Sequence, residues 1–142
     1  MLSQQSKYAV RGVIYLAVHA SVNRKLGSKE VGENINAPVP FLAKIFQNLN
    51  KEKLITSAKG PKGGFFLNED QLSGSLLSVI KCIDGNGNFN SCFIGLPQCS
   101  DDNPCSIHHL APPLRNTLIN ELKRRSIREF AKDTKKGKSH IF

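Results

Sequence analysis

The chain has 142 residues, of which 20 are Lys or Arg and 11 are Asp or Glu, so its formal net charge is +9. That length suits about one domain, and an apolar fraction of 39% can supply a hydrophobic core, which excludes wholesale disorder. The apolar run at 9–22 is shorter than the roughly 20 residues that a membrane-spanning helix needs. We therefore expect a cytoplasmic protein with no transmembrane or secretory segment.

Charge divides the chain into three parts. Residues 1–81 have 11 basic and 5 acidic side chains, whereas residues 82–110 have three Asp and no Lys or Arg. Residues 111–142 have 9 basic and 3 acidic side chains, and all four cysteines lie in the middle part. Two basic segments around a cysteine-bearing insert favour nucleic acid as the partner. Charge alone leaves open a solvated basic surface with no partner.

The first third of the chain predicts a helix-turn-helix. Apolar residues recur at helical spacing from residue 6 to 19, and Ser28 caps a short helix that runs towards Ile35. A stiff turn at 36–40 then precedes a further helix. The core face of that helix contains Leu42, Ile45, Phe46 and Leu49. Its outer face would read DNA bases and phosphates. The residues that we assign to this outer face are Pro40, Phe41, Lys44 and Gln47.

A β-hairpin is predicted next, with strands at 54–58 and 65–67. The glycine-rich turn between them carries Lys59 and Lys62, which could contact phosphates or the minor groove. Such a hairpin after a recognition helix is a wing. A nucleotide-binding loop is the alternative, but the turn lacks the Walker spacing and the helix that follows it. A helix capped by Ser75 then completes a winged helix-turn-helix domain over residues 1–84.

Residues 85–109 form a predicted loop that carries a candidate metal site. Cys92, Cys99, Cys105 and His108 follow the pattern Cys-x6-Cys-x5-Cys-x2-His. Three thiolates and an imidazole suit either Zn²⁺ or an iron–sulfur cluster. The wide spacing lacks the close knuckles of structural zinc sites and so favours a larger cluster.

Other interpretations of the cysteine-bearing loop stay open. Its thiols could be free of metal, and His109 could replace His108 as a ligand. Cys82 lies in an apolar helix, where a lone cysteine is more often a buried small hydrophobe.

The last part of the chain predicts one long helix over residues 110–134, which begins at about Pro113. Its apolar stripe is too long for the front domain to cover, so we expect two copies to meet along it in a homodimer. A helix that packs wholly on its own domain is the alternative. Residues 135–142 form a basic, flexible tail. The stripe contains Leu114, Leu118, Leu122, Ile127 and Phe130.

Three segments together resemble the Rrf2 family of bacterial winged-helix transcriptional regulators. They are the start at 6–11, the wing at 59–65, and the cysteine pattern followed by a helix. The resemblance extends to about residue 133. It implies a mainly α fold with a small β-hairpin wing, a C-terminal dimerisation helix, and a homodimer on double-stranded DNA.

Within the family, the chain is most similar to the branch that binds a [2Fe-2S] cluster through three cysteines and one histidine. This resemblance implies Cys92, Cys99, Cys105 and His108 as the ligands, although the first gap is one residue longer than usual. A second branch senses nitric oxide with a [4Fe-4S] cluster, and its fourth ligand is an acidic residue in the first helix. Lys7 occupies that position here, so the comparison favours the [2Fe-2S] type.

We therefore predict a non-enzymatic repressor or activator whose DNA affinity depends on an iron–sulfur cluster, which purified protein can lack. One alternative is a nitric-oxide or redox sensor with a [4Fe-4S] cluster or a thiol switch. The other is a small zinc or thiol-redox enzyme, but no paired acid and base and no Cys-x-x-Cys accompany the cysteines.

Overall fold

The computed structural model describes residues 2–141 and confirms a mainly helical fold with one two-stranded antiparallel hairpin. Single 3₁₀ turns at Asn88–Asn90 and His108–Leu110 lie in the segment between the helix that ends at Asp84 and the helix that begins at Ala111. The regular elements are α1 (Gln4–His19), α2 (Ser28–Asn34), α3 (Val39–Lys51), β1 (Thr56–Ala58), β2 (Gly64–Phe66), α4 (Glu69–Leu72), α5 (Leu76–Asp84), α6 (Ala111–Arg124) and α7 (Ile127–Lys135).

Helix α1 is the central element of the core. The Ser3 hydroxyl caps its N-terminus by accepting from the Ser6 backbone N–H at 3.0 Å. Ala9, Val13 and Leu16 are fully buried, since they follow one face of the helix. Helices α3, α5 and α7 pack around α1, so the N-terminal segment organises elements from the whole chain.

Helices α2 and α3 form the predicted helix-turn-helix. The turn is tight because the Ala37 N–H donates to the Gly32 carbonyl at 2.9 Å. A Cβ on Gly32 would lie 3.0 Å from the Ala37 oxygen, so only glycine fits this close approach easily. The predicted core face of α3 is confirmed, because Leu42, Ile45, Phe46 and Leu49 are all buried.

Strands β1 and β2 form the predicted wing, with Thr56 opposite Phe66 and Ala58 opposite Gly64. Leu26 extends the sheet by one residue through two backbone hydrogen bonds with Phe65, of 3.1 and 2.7 Å. The rings of Phe46 and Phe65 lie 5.0 Å apart, so the hairpin packs directly on α3.

Helix α5 begins as predicted, with the Ser75 hydroxyl accepting from the Ser78 N–H at 3.2 Å. A small second core lies beyond it, where Leu77, Ile80 and Phe89 are buried. Phe89 belongs to the loop between α5 and α6, and Leu118 of α6 packs on the same cluster. The start of the cysteine-bearing loop is therefore fastened between these two helices.

The prediction of a single helix over residues 110–134 is wrong, because the structure has two helices there. Helix α6 begins at Ala111 and ends at Arg124, and Arg125 is extended. Ser126 then opens α7 with a capping box, in which its side chain and that of Glu129 satisfy each other's backbone N–H groups. The Ile127 N–H donates to the Gly74 carbonyl at 2.9 Å, which attaches the break to the front domain.

This break divides the predicted apolar stripe among three environments. Ile127 is 2% exposed and Phe130 is half-buried, and both pack in the main core with α1. Leu118 and Leu122 are half-buried against the second core cluster, whereas Leu114 is 61% exposed. Leu114, at the N-terminal end of the stripe, is thus its most exposed residue.

Among residues 2–141, no helix combines the length and the hydropathy that crossing a membrane requires.

Candidate metal centre and DNA-binding surface

The three cysteines of the predicted metal site converge. Their Sγ atoms all lie within 4.8 Å of one another, and the Sγ atoms of Cys92 and Cys105 are 3.8 Å apart. The Cys105 backbone N–H donates to Cys99 Sγ at 3.4 Å. All three residues are half-buried, although the segment around them has no helix or strand longer than one turn. Thiols that are 13 residues apart in the chain therefore face one small volume.

His108 joins this group at Cys99. Its Nδ1 atom lies 3.1 Å from Cys99 Sγ, and its Nε2 atom lies 2.9 Å from Asp101 Oδ1. The His108 backbone N–H donates to the Cys105 carbonyl at 3.0 Å, which places the imidazole one turn from that cysteine. The ring nitrogen that points at the thiols is thus Nδ1, and the carboxylate holds the other nitrogen.

The surroundings change the pKa values of two of these thiols in opposite directions. Hydrogen bonds from the backbone of Leu96 and Ile94 lower the pKa of Cys92 to about 7, against partial desolvation. A backbone hydrogen bond from Cys105 lowers the pKa of Cys99, but desolvation and the neighbouring thiols outweigh it and raise that pKa. A lowered pKa increases the thiolate fraction of Cys92 near neutral pH, and the thiolate is the form that binds metal.

The donor set and its spacing fit a metal centre. Two thiolates on one tetrahedral metal at about 2.3 Å must lie about 3.8 Å apart, which is the separation of the Cys92 and Cys105 sulfurs. Cys99 and His108 form a second close pair beside them. These two pairs suit either the two irons of a binuclear cluster or one tetrahedral ion.

Two residues that the sequence left as alternatives lie elsewhere. Cys82 is on α5 and packs against the main core, and burial raises the pKa of its thiol. It is not part of the converging group of Cys92, Cys99 and Cys105. His109 is exposed on the 3₁₀ turn, whereas His108 is half-buried and contacts Cys99.

Arg115 of α6 was not singled out from the sequence, yet it lines the same pocket as the three cysteines and His108. Its Nη2 atom donates to the Ser91 carbonyl at 3.3 Å. Its Nε atom is buried and has no hydrogen-bond partner within residues 2–141. A cation in the first half of the helix that directly follows the cysteines was the available sequence signal.

The predicted DNA-reading residues form an exposed surface. On α3 the outer face is open to solvent, and Phe41 is 53% exposed there. The wing lysines lie at the exposed turn, where Gly60 has a φ of 101°, a conformation that suits glycine. All six predicted residues on these two elements are exposed, namely Pro40, Phe41, Lys44, Gln47, Lys59 and Lys62.

A shallow concavity beside this surface adds Gln5, which the sequence did not indicate, and Asn48, which the helical pattern already places outside the core face. Gln5 of α1 and Asn48 of α3 line it together with Phe41 and Lys44. Amide side chains can donate to and accept from base edges and phosphates. The only sequence signal for Gln5 would have been its polar character at the start of an apolar helix.

The structure joins a wing and a helix-turn-helix with an exposed outer face to a loop of converging thiols. These features define a class of protein. The class is that of winged-helix DNA-binding transcriptional regulators. The chain belongs to the Rrf2 family, whose model is described as an iron-dependent transcriptional regulator and matches residues 2–133.

Known proteins support this membership. An HTH-type transcriptional regulator IscR of Vibrio campbellii is 26% identical over 132 residues, which cover 93% of this chain and 77% of that protein. A protein of Aquifex aeolicus assigned as an HTH-type transcriptional regulator is 28% identical and covers 100% of this chain and 96% of its own. The relatives are transcriptional regulators and not enzymes.

The structure of T. potens IscR superposes with a TM-score of 0.71 at 17% identity, covering 99% of this chain and 92% of that one. At that identity the likeness concerns the fold. It confirms the winged-helix architecture for this chain.

Proposed function

We propose that this protein is a homodimeric regulator that binds double-stranded DNA with an affinity controlled by a [2Fe-2S] cluster. Cys92, Cys99, Cys105 and His108 are the proposed ligands. The observation that carries the proposal is the convergence of three thiols within 4.8 Å in a loop with little regular structure. Because its partner is DNA, the proposed place of action is the cytoplasm.

A histidine as the fourth ligand is supported by local geometry. The Nδ1 atom of His108 already faces Cys99 Sγ. Lys7 is an exposed cation at the position where the nitric-oxide-sensing branch has its acidic ligand, and no Asp or Glu precedes Glu30. A lysine ammonium offers no lone pair to a metal, so these contacts favour the [2Fe-2S] type over a [4Fe-4S] type.

When bound, the cluster would supply a one-electron redox couple. The chain's own contribution is to hold three thiolates and one imidazole together in a loop that has no extensive core. Ordering of this loop reaches the rest of the protein at its two ends. Phe89 packs between α5 and α6 at the first end, and the 3₁₀ turn runs directly into α6 at the second.

This connection explains how the site could change DNA affinity. Helix α5 packs on α1, and α1 packs on α3, which carries the proposed reading face. In a homodimer that meets along α6, a shift of α6 would change the spacing of the two reading faces. A bound cluster favours one spacing of the reading faces only if the protein contacts the cluster differently at the two spacings.

A second candidate function is that of a regulator that responds to a single tetrahedral metal ion. The specific observation in its favour is the compactness of the thiol group. One ion can bridge sulfurs that lie 3.8 Å apart without any opening of the loop. In this case, Zn²⁺ and no sulfide would occupy the same residues.

Anaerobic purification with iron, sulfide and zinc analysis tests these candidates against each other. We expect two irons and two sulfides per chain, with visible absorption, in the parent protein. Cys99→Ser should abolish that absorption and should change the affinity for DNA fragments selected from a random duplex library. Cys82→Ser is the matched control, because its thiol lies on α5 outside the group, and it should keep the iron.

A parent protein with one zinc and no sulfide would replace the cluster with the single-ion candidate. A Cys99→Ser protein that keeps iron, sulfide and DNA affinity would overturn both.

A further inference from the structure

The guanidinium of Arg115 lies in the wall of the thiol pocket. It shares that wall with Cys92, Cys99, Cys105 and His108. The Nη2 atom is used by the Ser91 carbonyl, but the Nε–H is buried without a partner among the described residues. Buried N–H groups are nearly always hydrogen-bonded in native proteins, so an orphaned one beside a ligand pocket indicates a missing acceptor.

The charge of the proposed centre identifies the acceptor. Three thiolates with a neutral imidazole leave one net negative charge around two ferric ions and two sulfides, and the same charge around one Zn²⁺. One-electron reduction of the cluster adds a second negative charge. The loop itself cannot balance this charge, because residues 82–110 contain three Asp and no Lys or Arg. Arg115 is the first cation after the cysteines in the sequence.

We infer that Arg115 is the cationic partner of the thiolate centre and donates its Nε–H to a thiolate or sulfide sulfur. The inference rests on the proposed metal centre and deepens it. Arg115 binds no metal and acts as a positioning residue that adjusts the reduction potential and the metal affinity. Hydrogen bonds and charges around the sulfurs are known determinants of cluster potential.

The same side chain also couples the charge of the centre to the position of α6. Arg115 is on α6, and its Nη2 bond to Ser91 attaches that helix to the N-terminal end of the cysteine-bearing loop. A more negative centre attracts the guanidinium more strongly than a neutral, metal-free pocket. The position of α6 relative to the loop therefore responds to the charge that the pocket holds.

The test compares Arg115→Gln with Arg115→Lys and with the control Arg124→Gln. Arg124 is an exposed arginine of the same helix, paired with Glu121. Loss of the cation should disfavour the reduced, more negative cluster about tenfold, which lowers the midpoint potential by about 59 mV for one electron. Arg115→Lys should lower the midpoint potential less than Arg115→Gln does, and Arg124→Gln should leave it unchanged. A mediated redox titration measures the midpoint potential of each variant. Iron content and circular dichroism are the controls for cluster loading and for folding.

A second titration, of metal-free protein with Co²⁺, separates this inference from the proposed cluster. Co²⁺ reports tetrahedral thiolate binding by its visible absorption, and Arg115→Gln should bind it about tenfold more weakly than Arg124→Gln. If the parent protein takes no cluster but Arg115→Gln still binds Co²⁺ more weakly, the [2Fe-2S] proposal is removed and Arg115 stays the partner of the thiolates. Equal potentials and equal Co²⁺ affinities in Arg115→Gln and Arg124→Gln would overturn the inference.

Discussion

Asp101 holds the outer nitrogen of the His108 imidazole, with Oδ1 and Nε2 separated by 2.9 Å. The other nitrogen, Nδ1, faces Cys99 Sγ at 3.1 Å. A carboxylate on the far side of a histidine fixes its tautomer and its ring orientation for metal binding. Asp101 thus supports the proposed ligand His108 from outside the candidate metal centre.

Asp101→Ala should therefore weaken metal binding without removing a ligand. Loss of such a partner typically costs 10- to 100-fold in affinity, and we expect about tenfold because the Asp101 side chain is almost fully exposed. Titration of metal-free protein with Co²⁺ measures the change. Asp102→Ala, at the exposed neighbouring carboxylate, is the control. Equal affinities in the two variants would remove Asp101 from the site.

The wing lysines are expected to contact phosphates. Changing Lys59 and Lys62 to Ala should weaken binding to all duplex sequences and should lower the salt slope of log K by about one to two units. Lys123→Ala with Lys132→Ala has the same charge loss on exposed positions of α6 and α7. Fluorescence anisotropy at several salt concentrations distinguishes the pairs. If the slopes of both double variants match that of the parent, the wing is not at the interface.

The dimer prediction now concerns Leu114, which is 61% exposed on α6. Leu114→Glu would bring a carboxylate into the proposed seam, where an unpaired charge costs several kcal/mol, roughly 3–5. Sedimentation should show monomers at micromolar concentration with unchanged helix content. Asn116→Glu, also exposed on α6, should stay dimeric. A Leu114→Glu dimer of undiminished affinity would place the interface elsewhere.

The packing of α7 on α1 predicts a stability effect far along the chain from the DNA-binding elements. Ile127 is 2% exposed in the main core, so Ile127→Ala should lower the free energy of unfolding by about 2–5 kcal/mol. Ile94→Ala makes the same truncation at a residue that is 54% exposed, and should cost no more than about 0.5 kcal/mol. Denaturant unfolding followed by circular dichroism compares them. Equal losses would mean that α7 does not belong to the core.

Local patterns in the sequence predict much of this structure. The spacing of Leu42, Ile45 and Phe46 predicts the buried face of α3, because helical periodicity alone decides which residues share a side. Ser75 predicts the start of α5 through its hydroxyl, and the glycine-rich turn predicts the hairpin. In each case, the information lies within a few residues of the feature.

The break at Ser126 shows where local periodicity fails. Leu118, Leu122 and Ile127 read as one apolar stripe, although the last step is five residues long. A capping box and a backbone bond to Gly74 compete with helix continuation at this point, and α1 offers Ile127 a buried site. The second and third of these contacts come from residues more than 50 positions away, so no window of sequence contains them.

The sequence by itself determined the class of protein, because the winged-helix pattern, the positive charge and the cysteine spacing are properties of residue order. It also named the four candidate ligands. Only the tertiary structure decided that the Cys92 and Cys105 sulfurs meet at 3.8 Å, that Asp101 contacts His108, and that Arg115 lines the thiol pocket. The physical reason is that a loop without periodicity takes its shape from contacts at its ends, and those contacts exist only after α5 and α6 have packed.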